Sequence, residues 1–91
     1  MGISNFAQFV GELVVADHFE TEDQKWVVFV DAFSGYMSVF PVKSTGNEEF
    51  TGKLEEFVCR FGQIPRMLYT DGAIKGDVLL EYCTKYKIAR K

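Results

Sequence analysis

The order of hydrophobic patterns along the chain restricts its fold more than any other feature of the sequence. Three apolar runs of strand length come first, at residues 13–19, 26–30 and 36–42. A single apolar stripe of helical period follows, and then a further short apolar run. A polar connection at 20–24 and a Ser-Gly turn separate the first three runs, so the sequence predicts an antiparallel meander with the first strand innermost.

The second and third runs differ in where they can lie within a sheet. Residues 26–30 are β-branched or aromatic throughout, which predicts a strand that is buried on both faces. The third run contains Pro41, which has no backbone N–H to donate to a neighbouring strand. We therefore expect the third strand at the edge of the sheet.

The clearest helix signal in the sequence begins at Thr45. Thr45 and Glu48 have the spacing of a capping box, in which each side chain binds the backbone N–H of the other residue. Gly62 is placed to end this helix, and Pro65 prevents its continuation. The apolar stripe between these signals consists of Phe50, Leu54, Phe57, Val58 and Phe61.

The remainder of the chain predicts a strand, a second helix and the start of another strand. Residues 67–70 form the fourth strand, and Asp77 can cap a helix at about 78–86. Ile88 and Ala89 begin the fifth strand. A crossover from strand to helix to strand lays the first helix on one face of the sheet.

Length and composition predict one small domain, 1–91, and argue against some classes of function. The hydrophobic fraction of 47% is enough to build a single core. Lys and Arg total 10 against 13 for Asp and Glu, and the net charge of −3 argues against a free-standing nucleic-acid binder. No apolar run approaches the roughly 20 residues of a membrane span, so we expect no membrane partner. Cys59 and Cys83 lack metal-ligand spacing and are predicted to be buried, reduced thiols of an intracellular protein.

Two aspartates are placed where strands meet turns. Asp17 lies toward the end of the first run, and Asp71 follows the fourth. An aspartate in such a place is most often a turn former or a helix cap. Carboxylates held by a sheet are also the ligands that hard cations require. The pattern around either aspartate alone does not decide between these two roles.

Two further segments resemble a known family. The run FVCRFGQIPRMLYTDG at 57–72 resembles the helix, Gly-x-Pro turn and strand that lead to the second catalytic aspartate of retroviral and retrotransposon integrases. The run VFVDAFSGY at 28–36 is similar to that family's second strand and its turn into the third. Asp17 matches the first catalytic aspartate by position. The chain from Leu13 to Lys91 therefore resembles the catalytic core of an integrase, of the gypsy retrotransposon type.

This resemblance implies a fold, a reaction and a site. The fold is an α/β, ribonuclease H-like five-stranded mixed sheet, in which three antiparallel strands precede helix, strand, helix and strand. The reaction is the metal-dependent 3′-end processing and strand transfer of DNA by a polynucleotidyl transferase, which implies DNA as a partner and a nuclear location. Asp17 and Asp71 would be catalytic residues and ligands of Mg²⁺ or Mn²⁺, on first and fourth strands that lie side by side.

The chain departs from the family pattern in two places. The family continues Asp-Asn-Gly-x-x-Phe after its second catalytic aspartate, whereas this chain reads DGAIKG at 71–76. The family also uses a third carboxylate, a glutamate on a later helix, and the sequence is expected to be truncated before that helix. We therefore expect the chain to be inactive by itself. Two alternatives stay open, a non-catalytic remnant that serves as a binding or assembly module and a ribonuclease H-like nuclease.

The helices that normally cover the second face of such a sheet are also expected to be missing. An uncovered face would expose more apolar surface than a normal patch, which predicts self-association or a partner chain. The other residues that could carry chemistry are assigned structural roles. Asp31 and His18 are expected to be structural residues rather than ligands, and Glu81 and Asp77 to belong to a solvated helix face and a helix cap. A solvated basic end is formed by Lys85, Lys87, Arg90 and Lys91. Assigned to the core are the aromatic residues Trp26, Phe29, Phe33, Tyr36 and Phe40.

Overall fold

The computed structural model describes residues 7–70 and 74–91, and in this part of the chain it contains five strands and two helices. These are β1 Leu13–Thr21, β2 Gln24–Asp31, β3 Met37–Val42, α1 Asn47–Phe61, β4 Met67–Tyr69, α2 Asp77–Lys85 and β5 Ala89–Arg90. The strands form one mixed sheet in the order β3-β2-β1-β4-β5. Strands β1, β2 and β3 pair antiparallel, whereas β1 with β4 and β4 with β5 pair parallel. The central position of β1 and the edge position of β3 confirm the predicted meander.

The hairpin between β1 and β2 is tighter than the sequence predicts. The two strands pair as far as Thr21 and Gln24, so that Glu22 and Asp23 alone form the turn. Glu22 has a φ of 41°, in the left-handed region that short hairpin turns use. The polar residues at 20–24 suggested a five-residue connection. Three of them belong to the strands instead, because side chains near the tip of a hairpin are exposed to solvent even where the backbone is paired.

Strand β2 is fully buried on one face only, which corrects the prediction of a strand buried on both. Val27 and Phe29 are buried beneath the helices, whereas Val28 and Val30 on the other face are half-buried. Residues of α1 and α2 join the same core cluster, so the two helices lie on the same side of the sheet. A continuous apolar run does not show which face a helix covers, because both faces of the strand carry the same residue types.

The core lies between the sheet and the two helices, with Phe29 near its centre. The Phe29 ring centroid lies 5.3 Å from those of Phe50 and Phe57 and 6.0 Å from that of Phe40. The predicted stripe on α1 is confirmed, since its first three members are fully buried and the other two pack against them. The buried members of the core are Val14, Ala16, Val27, Phe29, Phe40, Val42, Phe50, Leu54, Phe57, Leu68, Ile74, Leu79, Cys83 and Ile88.

The chain entering α1 is held by a residue other than the predicted pair. Thr45 and Glu48 form no capping box, because the N-cap position is a glycine one residue further on and makes no side-chain cap hydrogen bond. Glu49 reaches back instead, and its carboxylate accepts the N–H groups of Lys43 at 3.0 Å and Ser44 at 2.9 Å. These bonds, the one from Lys43 foremost, hold the pKa of the Glu49 carboxyl below its ordinary value because they stabilise the ionised form.

The N-terminus of α2 is capped from a distant part of the chain, and the prediction that Asp77 caps it is wrong. Asn47 Oδ1, at the start of α1, accepts the N–H of Val78 at 3.1 Å and that of Leu79 at 3.2 Å. These are donors of the first helical turn, which have no partner within the helix itself. Gly76 has a φ of 150° and lies against the Asn47 side chain, so a Cβ there would clash. One amide side chain therefore fastens the starts of the two helices together.

The predicted end of α1 is confirmed, whereas only one of the two cysteines is buried as predicted. Gly62 ends α1 with a φ of 89° and donates its N–H to the Val58 carbonyl at 2.9 Å, as predicted. Cys83 is buried, and burial raises the pKa of its thiol. Cys59 is exposed, so the prediction that both thiols are buried is wrong for this residue. It lies two residues after the buried Phe57, and residues two apart point to different sides of a helix.

Neither described helix is long and apolar enough to cross a bilayer.

Candidate active site

Asp17 lies on the central strand, on the sheet face that neither described helix covers. Val14 and Ala16 are buried toward the helices, so the alternation of the strand projects Asp17 from the opposite face. The Asp17 side chain is exposed, and its Oδ1 accepts the N–H of His18 at 2.9 Å. This bond is local and occupies one oxygen, so the carboxylate keeps lone pairs that can bind an external cation.

The fourth strand lies beside the strand that carries Asp17, as the sequence predicts. In the described ladder the last parallel pair of β1 and β4 is Val15 with Tyr69. The chain then continues to Thr70, which is buried. Asp71, the second predicted ligand, lies outside the described residues, so its closeness to Asp17 stays a prediction.

The donor chemistry of Asp17 fits the cation that the sequence predicts, but one carboxylate is not a complete site. Within residues 7–70 and 74–91, no group of three or more His, Cys, Asp or Glu side chains is placed to hold a metal ion. An exposed carboxylate is a suitable ligand for Mg²⁺ or Mn²⁺, since hard cations prefer oxygen. Such an ion needs ligands in addition to Asp17, and the part that Asp71 plays among them stays a prediction.

Asp31 is a structural carboxylate rather than a ligand, as predicted. It is fully buried at the end of β2. One oxygen accepts the N–H of Gly11 at 2.9 Å, and the other accepts the N–H of Ser34 at 2.8 Å and the Ser34 hydroxyl at 2.7 Å. These bonds tie the segment before β1 to the turn after β2. His18 likewise has a packing role, since its ring lies 5.8 Å from that of Phe50 on the helix side of the sheet.

The sheet face around Asp17 is largely apolar, and we call it the open face. Pairing puts Val28 beside Val39, and Phe19 stacks on Trp26 with 6.2 Å between ring centroids. The open face consists of Val15, Asp17, Phe19, Trp26, Val28, Val30, Met37, Val39 and Tyr69. Within this set Asp17 is the one charged residue, so its carboxylate stands in apolar surroundings.

Three of the aromatic residues that the sequence assigns to the core lie elsewhere. Phe33 and Tyr36, in the turn between β2 and β3, are 43% and 40% exposed. Trp26 is half-buried on the open face, whereas Phe29 and Phe40 are in the core as predicted. The prediction was wrong for these three because a turn or an uncovered face can hold an aromatic ring that is only partly shielded from water.

Arg90 has a role that the sequence analysis missed. The sequence assigns it to a solvated basic end, but its Nη2 donates to Thr70 Oγ1 at 3.0 Å and to the Ile74 carbonyl at 3.2 Å. Thr70 and Ile74 border the segment that contains Asp71. No local sequence signal could have revealed this contact, because its partners are 20 and 16 residues away along the chain.

Comparison with known proteins supports the fold. No protein-family model matches the chain, and no curated protein matches it. Among solved structures, it is similar to a chain of the simian T-cell lymphotropic virus intasome, determined by cryo-electron microscopy in complex with the PP2A regulatory subunit B56 gamma. The TM-score is 0.80 and the sequence identity 22%, and the match covers 93% of this chain but 35% of the viral one. The chain thus spans about a third of the length of the protein that it matches.

The fold is therefore integrase-like. It is an α/β, ribonuclease H-like domain with a five-stranded mixed sheet, and this confirms the fold predicted from the sequence. At 22% sequence identity the similarity shows that the strands and helices are arranged in the same way. It does not show catalysis, metal binding or DNA binding by this chain.

Proposed function

We propose that the chain is part of an integrase catalytic core of the gypsy retrotransposon type, which processes and joins DNA ends in the nucleus. The observation that carries the proposal is the exposed Asp17 carboxylate on the central strand of an integrase-like fold, directly beside β4. In this proposal Asp17 and Asp71 hold Mg²⁺ or Mn²⁺. In this proposal a glutamate supplies the third carboxylate of the site.

The pairing register of the sheet supports a site shared by the two aspartates. The last described pair joins Val15 to Tyr69, and in the sequence Asp17 and Asp71 each come two residues later. This equal spacing along the sequence favours two carboxylates that reach one cation. Asp17 belongs to β1, and a strand within a sheet fixes a carboxylate better than a loop does.

The chemistry of DNA cleavage and joining explains why carboxylates are suited to this place. Divalent cations neutralise the charge that develops on the oxygens of a phosphodiester during an in-line displacement. The residues of this chain contribute by holding the cation in position and by keeping its surroundings apolar. The net charge of −3 is compatible with DNA, since bound cations reverse the local sign of the potential.

Cation binding by Asp17 can be tested directly on this chain. We expect Mn²⁺, followed by the electron paramagnetic resonance signal of the free ion, to bind the wild-type protein. The change Asp17→Asn is expected to weaken binding by at least the roughly 10–100-fold that loss of an outer-shell partner costs. Asp23→Asn is the matched control, because Asp23 is an exposed acid at the distant hairpin turn. Equal Mn²⁺ affinity of Asp17→Asn and wild type would contradict the proposal.

The open face favours a second candidate function, that of an assembly module. Its apolar residues on four neighbouring strands form one continuous surface, of the kind that marks interaction sites. We expect the chain to self-associate through this face at micromolar concentration in sedimentation velocity. Val28→Lys, at the middle of the open face, should shift the protein toward monomer.

Leu80→Lys on α2 is the control for that experiment, since Leu80 is an exposed apolar residue, 57% exposed, on the other side of the domain. It should leave the association of the protein unchanged. A wild-type protein that sediments as a single monomer peak and unfolds cooperatively would rule out the assembly function.

A further inference from the structure

The outer edge of β3 has no neighbouring strand in the described part of the chain. β3 lies at the end of the strand order and pairs with β2 alone. Its residues, Met37–Val42, include no charged side chain, although charge on an edge strand is a common protection against pairing with another chain. Met37 and Val39 are 54% and 40% exposed. This edge is therefore open to a further strand.

The alternation of the ladder between β2 and β3 shows which backbone groups point outward. The Asp31 N–H donates to the Tyr36 carbonyl at 2.8 Å, which marks these two residues as a hydrogen-bonded pair. Hydrogen-bonded and non-hydrogen-bonded pairs alternate along an antiparallel ladder, and this register has no break along β3. Met37, Val39 and Pro41 therefore belong to non-hydrogen-bonded pairs, whose backbone groups are directed away from β2.

Pro41 supports this assignment independently. Proline has no backbone N–H, so within a sheet it is found where that group would point to solvent rather than to a neighbouring strand. Pro41 lies opposite Trp26, in a pair that the alternation makes non-hydrogen-bonded. The outward donors of β3 are thus the N–H groups of Met37 and Val39, and the outward acceptors are the carbonyls of Met37, Val39 and Pro41.

We propose that a second copy of this chain pairs with the outer edge of β3, antiparallel and with its Val39 opposite Val39. In this register each Val39 N–H donates to the opposite Val39 carbonyl, and each Met37 N–H donates to the opposite Pro41 carbonyl. Every outward donor of the two strands then has an acceptor. The side chains that meet are apolar, Val39 with Val39 and Met37 with Pro41, and cross-strand pairs of this kind stabilise a sheet.

The edge fits its own copy because a twofold interface is self-complementary, with the same segment on both sides. The side chains of α1 beside this edge also carry both signs of charge. Lys53 and Arg60 lie over the Phe40 ring, 5.9 Å and 4.8 Å from its centroid. Glu56 pairs with both cations, at 3.6 Å and 3.7 Å. The helix thus presents no block of like charge that would repel its copy.

The edge pairing differs from the association proposed through the open face, and it does not rest on the proposed cation site. It uses backbone groups of β3, and Asp17 on β1 is two strands away. Tyr69→Lys is the control, because it places a charge on the open face at β4, three strands from the outer edge. We expect the dimer to remain in folded Tyr69→Lys protein. Loss of the dimer there would assign the contact to the open face and overturn the inference.

A charge at position 39 tests the register, because the proposal pairs this residue with itself. We expect Val39→Lys and Val39→Glu each to lose the dimer in sedimentation velocity, since like charges directly opposite one another destabilise a strand pair. An equal mixture of the two variants should restore the dimer, because opposite charges then meet. A mixture that stays monomeric, with both variants folded by circular dichroism, would overturn the proposed pairing.

Val39→Pro removes the central donor of the edge while the side chain stays apolar. Pro41 shows that an outward position of β3 accepts a proline, so we expect the variant to fold. The dimer should weaken by about 10–100-fold, since two hydrogen bonds between the copies are lost. Dimerisation of folded Val39→Pro protein equal to that of the wild type would contradict the pairing.

Amide hydrogen exchange locates the contact in the unmodified chain. We expect exchange of the Met37 and Val39 N–H groups to slow as the protein concentration rises. Ser38 and Phe40 are the internal control, since their N–H groups face β2 within each copy and should be protected at every concentration. A dimer in which the exchange of Val39 is unchanged would overturn the edge pairing alone. A wild-type protein that is monomeric at every concentration would overturn it together with the assembly function of the open face.

Discussion

Replacement of Asp31 by alanine is expected to lower the free energy of unfolding by about 3 kcal/mol or more. The carboxylate is fully buried and accepts the N–H groups of Gly11 and Ser34 as well as the Ser34 hydroxyl. The Gly11 N–H is buried, and a buried donor left without a partner costs about 1–3 kcal/mol. The two part-buried bonds from Ser34 go to a charged acceptor and add to this loss, although water can partly replace them. Urea denaturation followed by circular dichroism measures the change.

Asp17→Ala is the matched control for this experiment. Asp17 is exposed and accepts one local hydrogen bond, so we expect its removal to change stability by less than about 0.5 kcal/mol. The pair of variants separates the aspartate that holds the fold from the aspartate proposed to hold a cation. Equal loss of stability in the two variants would contradict the roles assigned to them.

Truncation of Phe29 to alanine is expected to be the most destabilising change in the core, at about 3–5 kcal/mol. The side chain is fully buried and its ring packs against those of Phe40, Phe50 and Phe57. The cavity would lie where β2, β3 and α1 meet, among the rings of Phe40, Phe50 and Phe57. Since a domain of this kind is stable by about 5–15 kcal/mol, urea denaturation should show a much lower midpoint.

Phe33→Ala is the control, because it removes the same side-chain atoms as Phe29→Ala from a different environment. Phe33 is 43% exposed in the turn after β2, and the same number of atoms is removed from a partly hydrated site. Its effect should therefore be well below that of Phe29→Ala. Similar losses in both variants would mean that the core is not centred on Phe29.

The fold could be predicted from the sequence because its determinants are local patterns. The stripe on α1 repeats at helical period, Pro41 restricts β3 to an edge, and Gly62 ends the helix in the left-handed conformation. The predictions that were wrong concern partners that are distant in the sequence. Asn47 caps α2 across more than 30 residues, and sequence patterns at Asp77 could not show that a better acceptor arrives from α1.

The candidate site could be predicted only in part, for a related reason. Asp17 could be found because it belongs to a recognisable strand pattern. The structure places it in the middle of β1 rather than where the strand meets a turn, because β1 continues to Thr21. The surroundings of that carboxylate depend on which sheet face the helices cover, and an apolar strand does not encode this. Arg90 was missed because nothing in a basic chain end distinguishes a bridging guanidinium from a solvated one.

The parallel pairing of β1 with β4 also determines when the proposed site could form during folding. The hairpin partners of β1 are close in sequence, whereas Val15 and Tyr69 are 54 residues apart. Closing so long a loop has an entropic cost, so β4 is expected to dock after the meander has formed. A cation bound between the two strands would then recognise the native chain alone. By mass action it would stabilise the folded protein, by about 2.7 kcal/mol at a concentration 100 times the dissociation constant.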